Sequence, residues 1–264
     1  MSDLTKHIQP VEYYKSFLKE QVRPDTRTLQ QIRQTTLNVG PITSADGSAL
    51  VKIGETMVVC GVKAELTQPT VEEPTKGMIV PNLDLPPLCS SKYRTGPPSE
   101  QAQIGTQFLD NLIKISKLVN SEDLCVVPDQ LVWVLYCDVI CLNNDGGVMD
   151  AAVIAMVAAL QSVKLPSVTM NEETETPVTN FDEMTPLKIN CLPVATSFTF
   201  FERLDNEEIT SGHMTIVTDA DDNLFLLDRP GGSSITDGQL DQCLQRSFER
   251  TKEVVKLYNA VHSS

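Results

Sequence analysis

The order of elements read along this sequence predicts an α+β protein in which two βα subdomains interlock. Three observations carry that prediction. Val58, Cys60, Val62 and Ala64 occupy every second position between residues 56 and 65, the period of a strand with one buried side. Residues 132–143 are almost continuously apolar and open through Asn144-Asp145-Gly146-Gly147 into an Ala-rich segment, which reads as strand, turn and helix. Three short strand-like segments then precede a long amphipathic segment at the C-terminal end.

Taken in order, Val11, Tyr14, Phe17 and Leu18 form a helical stripe that ends before Arg23-Pro24. Ala49–Ile53 and the alternating strand after it are joined by Gly54-Glu55, a pair suited to a tight hairpin. Residues 67–98 are Pro-rich and without a long period, so loop is expected, with a short extended piece near Leu83–Leu85. Ser99 is placed to cap a helix running to about Val119, with Ile104, Phe108, Leu112 and Ile115 expected inward. The apolar run from Val132 predicts a strand covered on both sides. A helix from Val148 to Val163 follows it, and the acidic stretch Asn171–Glu183 is expected to be a solvated loop. Strands are expected around Val194–Phe201, His213–Thr218 and Leu224–Asp228, the last two joined by an Asp/Asn turn. Thr236 and Gln239 form a capping box for a final helix to about Val261, with Leu240, Leu244, Phe248, Val255 and Tyr258 on its apolar side. The organisation expected is a lead-in over residues 1–30, one subdomain over 31–165 and a second over 166–264.

Composition narrows the functions available. With 41% hydrophobic residues the chain can bury a sizeable core, and disorder throughout is excluded. Its 21 basic and 35 acidic residues give a formal charge of −14, which repels nucleic acid at long range. Any contact with RNA must then come from a local basic patch or from partners. None of the seven cysteines forms a CxxC pair, and Cys60, Cys137, Cys141 and Cys191 lie in or beside apolar runs. They are expected to be reduced thiols in the cytosol or nucleus. Asp138 interrupts the longest apolar run short of the ~18 residues that span a bilayer. The start of the chain carries no secretory apolar region, so a soluble intracellular protein is expected.

Several residues could carry chemistry, and each has a plainer reading. His7, His213 and His262 share no metal-ligand spacing with Cys or Asp, so no metal site or cofactor is expected. Asp219, Asp221 and Asn223 imitate the start of a calcium loop but lack its glycine and terminal glutamate, which leaves a hairpin turn. Asp138, inside an apolar strand, is expected to be satisfied by backbone donors or an Arg. Arg229-Pro230-Gly231-Gly232-Ser233-Ser234 could cradle a phosphate, and more simply turns strand into helix.

An ordered set of segments resembles the RNase PH family. Arg23-Pro24-Asp25-Thr26-Arg27 with Arg33 is similar to its N-terminal signature. Asp46 through Val51 and Gly54 through Val62 resemble its first hairpin, and Leu142 through Ala152 its strand–turn–helix unit. The likeness runs from about residue 20 to the last helix. Leu85-Pro86-Pro87-Leu88-Cys89-Ser90-Ser91 and Pro193-Val194-Ala195-Thr196-Ser197-Phe198 narrow it to ring subunits of the eukaryotic RNA exosome. The resemblance implies an RNase PH-like fold with a ribosomal protein S5 domain 2-like core.

It also implies where chemistry should sit. Active members degrade RNA from its 3′ end with inorganic phosphate as nucleophile, held where a glycine turn opens a helix. After Gly146 and Gly147, a Thr and an Arg would complete that pocket; this chain has Val148 and Met149, then Asp150, whose charge opposes an anion. Active members also carry two aspartates six residues apart. The matching stretch offers Glu202 and Glu208 at that spacing and Asp205 between them, the wrong side chains. With both halves of the site degenerate, no catalytic residue is assigned. An inactive scaffold subunit is expected, the alternative being an active phosphate-dependent 3′–5′ exoribonuclease. Lys92 and Arg94 match a family loop that faces the ring's channel and touches RNA phosphates, although such a pair can equally be solvated. The partners implied are RNase PH-like subunits in a six-membered ring, S1/KH cap proteins, a hydrolytic nuclease and threaded RNA, with no membrane. The locations implied are nucleus, nucleolus and cytoplasm.

Overall fold

The computed structural model describes residue 8 and residues 10–170, 177–200 and 212–262. After the helix α1 (Pro10–Lys19) come β1 (Thr35–Val39), β2 (Gly47–Ile53), β3 (Thr56–Thr67) and β4 (Met78–Asp84), then α2 (Glu100–Ser116), β5 (Cys125–Val127) and β6 (Leu131–Asn143). The six strands form one sheet in the order β1-β2-β3-β6-β4, with β5 also on β6. Among the described strands only β4 runs parallel to its neighbour, and it pairs with β6 from Met78 opposite Val134 to Asp84 opposite Ile140. The hairpin at Gly54-Glu55 joins β2 to β3 as expected, with Gly54 at φ 61.

Against this sheet lies α3 (Val148–Ser162), in which every residue from Ala151 to Leu160 is buried. A helix apolar on all sides belongs in the middle of a molecule. Its alanines allow close approach: a Cβ at Gly47 would come within 2.6 Å of the Ala159 carbonyl. The second half contributes a ribbon of β7 (Lys164–Met170) and β8 (Pro177–Pro186), a three-stranded sheet of β9 (Val194–Phe200), β10 (Gly212–Thr218) and β11 (Leu224–Asp228), and α4 (Asp237–His262). One core cluster runs from Ala49 through α3 to Tyr258 on α4, so the two halves share their interior. The boundary expected after residue 165 falls inside β7.

The capping box opens α4, with the Thr236 N–H donating to Gln239 Oε1 at 3.0 Å. The Thr236 hydroxyl meets the same oxygen at 3.1 Å. The Ser99 cap is also present, its Oγ accepting from the Ala102 N–H at 3.2 Å.

The structure corrects several expectations. Ile104 and Ile115 do not face inward but are 61% and 51% exposed; Ala102, Gly105, Leu109, Leu112 and Ser116 line the inner side of α2 with Phe108. Small residues at 102 and 105 let α2 lie close on β4, and a Cβ at Gly105 would strike Leu83. That helix also stops at Ser116, where Lys117 turns left-handed at φ 48. β4 is longer than the short extended piece expected, and its Pro81 is tolerated because β4 is an edge strand. β6 is covered on both sides only to Leu135; beyond it Tyr136, Asp138 and Ile140 are exposed, alternating with buried Cys137, Val139 and Cys141. Residues 177–183, expected as loop, belong to β8, which is nearly all exposed and therefore lacks the alternation that marks a strand. On α4 the deepest positions are Cys243, Ser247, Arg250, Thr251, Val254 and Tyr258, so a partly polar stripe faces in beside the apolar one expected. Arg250 is satisfied there by Thr35 on β1 and by Glu253.

Among the described residues no helix is long and apolar enough to cross a membrane. The described cysteines are all free, and burial raises the thiols of Cys60, Cys137, Cys141 and Cys191 above their ordinary range.

Candidate functional site

The turn between β6 and α3 is built on two left-handed glycines, Gly146 at φ 83 and Gly147 at φ 68, a conformation that side chains with a Cβ resist. Gly147 is the N-cap of α3 and supplies no side-chain acceptor. The first N–H groups of a helix have no acceptor within it, so this end of α3 is where an anion would be held.

Two residues from distant strands fasten the turn. Thr56, fully buried at the start of β3, donates its hydroxyl to the Gly146 carbonyl at 2.7 Å and accepts from the Asp145 N–H at 3.0 Å. Arg33, just before β1, donates to the Asp145 carbonyl at 2.8 Å and also to the Gly146 carbonyl. It reaches the Asp145 carboxylate at 3.4 Å. A Cβ at Gly147 would sit 2.9 Å from Arg33 Nη2 and 3.7 Å from Asp150 Oδ2, so the cation and the carboxylate flank the mouth of the helix.

The side chains that follow turn elsewhere. Val148 and Met149 are half-buried and join the core, with the Met149 sulfur 3.2 Å from where a Cβ would stand on Gly105 of α2. Asp150 turns toward β9. Its carboxylate accepts from the Ser197 hydroxyl at 2.6 Å and the Ser197 N–H at 3.2 Å, and Ser197 continues to the Thr215 hydroxyl at 3.0 Å. Burial pushes the Asp150 carboxyl up to about 6, against the pull of the Ser197 hydrogen bonds and of Arg250 and Arg33.

Lys92 and Arg94 stand exposed on the connection from β4 to α2, and among the described residues no ion pair holds either. Between them Tyr93 faces inward. Its hydroxyl donates to Gln101 Oε1 at 2.8 Å and accepts from the Asn144 side-chain amide at 3.3 Å. The Asn144 N–H also donates to the Cys89 carbonyl at 3.0 Å. The structure thus ties the Lys92–Arg94 loop to the residue that starts the glycine turn, and the two candidate features share one corner of the molecule.

Other candidates lie apart from that corner. Glu202, Asp205 and Glu208 fall outside the described residues. Asp138 is not enclosed by backbone donors or an Arg: it is exposed, accepts from the Asn82 amide at 3.2 Å, and lines an open groove of about 330 Å³ with Asp84, Pro98 and Ile140. Its side chain follows the outward alternation of the second half of β6. Asp219 makes a turn, its Oδ1 accepting from the N–H groups of Ala220 and Leu192. Arg229 closes its own loop by donating to the Ser233 carbonyl. Among the described residues no three His, Cys, Asp or Glu side chains are grouped to hold a metal.

Sequence reasoning noted Arg33 only as part of a signature and did not reach Thr56, Tyr93 or Ser197 as parts of the corner. No local signal could have found them, because their partners in residues 144–150 lie between 47 and 113 residues away along the chain.

Comparison with known proteins bears on the same region. A family model described as the 3′ exoribonuclease family, domain 1, matches residues 31–166. The chain is 35% identical over 247 residues to the exosome complex component rrp43 of Schizosaccharomyces pombe, covering 91% of this chain and 92% of that one. That relative is the subunit, ribosomal RNA-processing protein 43, that the segments Leu85–Ser91 and Pro193–Phe198 resemble. The chain is 34% identical to the exosome complex component Rrp42 of Pyrococcus abyssi, over 92% of this chain and 90% of that one. Among solved structures, a chain of the Archaeoglobus fulgidus exosome with RNA bound to the active site superposes with a TM-score of 0.81 at 29% identity, over 96% of this chain and 99% of that one. Rice Rrp46 shares the fold alone, with a TM-score of 0.63 at 16% identity over 90% of this chain and 98% of that one.

Proposed function

This chain belongs to the 3′ exoribonuclease family of RNase PH-like proteins, and on that premise we propose that it is a non-catalytic ring subunit of an RNA exosome. It contributes scaffold and RNA path to 3′–5′ degradation and processing of rRNA, mRNA and small RNA. The observation that carries this reading is the mouth of α3. Where the family resemblance calls for a hydroxyl and a guanidinium, Val148 and Met149 are drawn into the core, and the next residue is a carboxylate locked to Ser197. A phosphate placed there would meet a negative neighbour and gain no side-chain donor from either position.

The partners on this reading are RNase PH-like subunits closing a six-membered ring, S1/KH cap proteins above it and a separate hydrolytic nuclease that receives the RNA. Lys92 and Arg94 are the contribution to the RNA path, because a chain of charge −14 needs a local basic spot to meet phosphate. Nucleus, nucleolus and cytoplasm are the compartments that fit. The test is direct. The purified chain, given 3′-hydroxyl RNA, inorganic phosphate and magnesium, releases no nucleoside diphosphate, and native mass spectrometry of the affinity-purified chain finds it with RNase PH-like neighbours. Phosphate-dependent release that follows the chain through purification would restore the active exoribonuclease as the better reading.

A further inference from the structure

The β7–β8 ribbon is attached to the body by one strand. Leu165 of β7 is buried and Val168 packs on the core, whereas β8 is exposed along nearly its whole length and, among the described residues, pairs with β7 alone. A two-stranded ribbon has little stability of its own. Its register carries an irregularity with a definite shape. Pro166 is opposite Met184, but the next residue, Ser167, is opposite Asn180, so Phe181-Asp182-Glu183 stands out as a bulge. Hydrogen bonds hold that bulge: the Asp182 N–H donates to Asn180 Oδ1 at 3.0 Å and the Ser167 hydroxyl to Glu183 Oε2 at 3.3 Å.

A bulge with two carboxylates on an edge strand is a common guard against edge-to-edge pairing. Such a guard does not need Phe181, which is 73% exposed and has Val178 and Met184 about half exposed on either side. Bulges re-aim side chains, and a projecting aromatic is a frequent anchor of protein interfaces. The charge around it selects the occupant. Asp182 and Glu183 adjoin Phe181 within the bulge, and among the described residues no cation pairs with either. That field repels RNA phosphates and favours a basic surface.

We propose that the Phe181 bulge is a docking knob for a protein that offers an apolar pocket rimmed by Lys and Arg. The setting rests on the ring reading, since the partner is sought in the complex the chain joins. The test places p-benzoylphenylalanine at position 181 of the full chain in cells, irradiates the natively purified complex and maps the adduct. The same photoreactive residue at Val71, fully exposed on another loop, sets the background. The expected result is a protein adduct above that background whose linked peptide carries Lys or Arg. Asp182→Lys, which leaves the Ser167–Glu183 hydrogen bond in place, should cut its yield by about tenfold, as for removal of one strong interaction, without changing the melting of the isolated chain. An adduct to RNA, a yield equal to the Val71 background, or indifference to the charge reversal overturns the knob. If ring neighbours co-purify while position 181 stays unlinked, the knob fails and the ring reading stands. If position 181 links to a basic peptide in material without those neighbours, the ring reading fails and the knob stands.

Discussion

Two polar stretches meet at Asn144 and are treated oppositely by the fold. On one side the turn 145–147 is fully committed: Thr56 and Arg33 hold its carbonyls, Asp150 is claimed by Ser197, and Met149 fills space against α2. On the other side the loop around Lys92 and Arg94 is pinned at Cys89 and Tyr93, and its two cations project into solvent. On the proposed reading, the difference teaches where side chains can change without loss of fold. Val148 and Met149, recruited into packing, bring no donor to that end of α3. A charged pair on a pinned loop costs the core nothing and stays available to any phosphate that comes near.

The hardest push against this contrast is to restore the side chains that the family resemblance calls for. Val148→Thr with Met149→Arg should still give no phosphorolysis, and should destabilise the chain by about 3 kcal/mol, because a guanidinium replaces a thioether packed beside Gly105. Urea denaturation and a nucleoside diphosphate assay on the same preparation read both effects. A gain of activity with unchanged stability would mean that position 149 was free all along.

A milder push titrates Asp150. Its carboxyl is raised to about 6, whereas an ordinary Asp titrates near ~4. Below ~4 the folded and unfolded chains both hold the proton; between there and about 6 only the folded chain keeps it, so stability falls as pH rises through that window. The loss is about 3 kcal/mol by pH 7. Asp150→Asn should remove it, so that the difference between denaturation at pH 4 and at pH 7 shrinks by about that amount relative to the parent. An unchanged difference would show that burial does not raise this carboxyl in the folded chain.

The smallest disturbance to the fold comes from the free side of the comparison. Lys92→Ala with Arg94→Ala should leave stability within about 0.5 kcal/mol, as for most surface changes. In the assembled complex it should weaken RNA binding alike for different sequences, and flatten the dependence of log affinity on log salt by about 0.7 for each phosphate left unneutralised. Filter binding at two salt concentrations decides it. An unchanged slope would assign the loop to solvent or to protein neighbours.

How far the sequence could be read follows from the same contrast between local and distant partners. The alternation of Val58, Cys60 and Val62 exposed β3, and the apolar run into Gly146-Gly147 exposed β6, the turn and α3, because those signals are written in neighbouring residues. β8 escaped because a ribbon with both sides in water has no apolar period to show. The inner side of α2 was misread because the large residues Ile104 and Ile115 drew attention from Ala102 and Gly105, whose smallness is what permits close packing. The glycine turn was legible as a motif, and Val148 and Met149 as residues without a side-chain donor. That Arg33 and Thr56 fasten it was not legible, since only the folded sheet brings the starts of β1 and β3 beside the end of β6.

Tyr258 has a consequence measured in time rather than in energy. Its ring is wholly enclosed beneath α3, with its hydroxyl 3.5 Å from the Ile154 carbonyl, so a side chain made late in synthesis completes an interior whose walls were made early. Translation adds roughly 5–20 residues each second, and domains tend to close as units. The nascent N-terminal sheet must therefore wait several seconds before Tyr258 closes over the Ile154 carbonyl. During that interval the interior that Tyr258 completes stays open to whatever shields apolar surface at the ribosome.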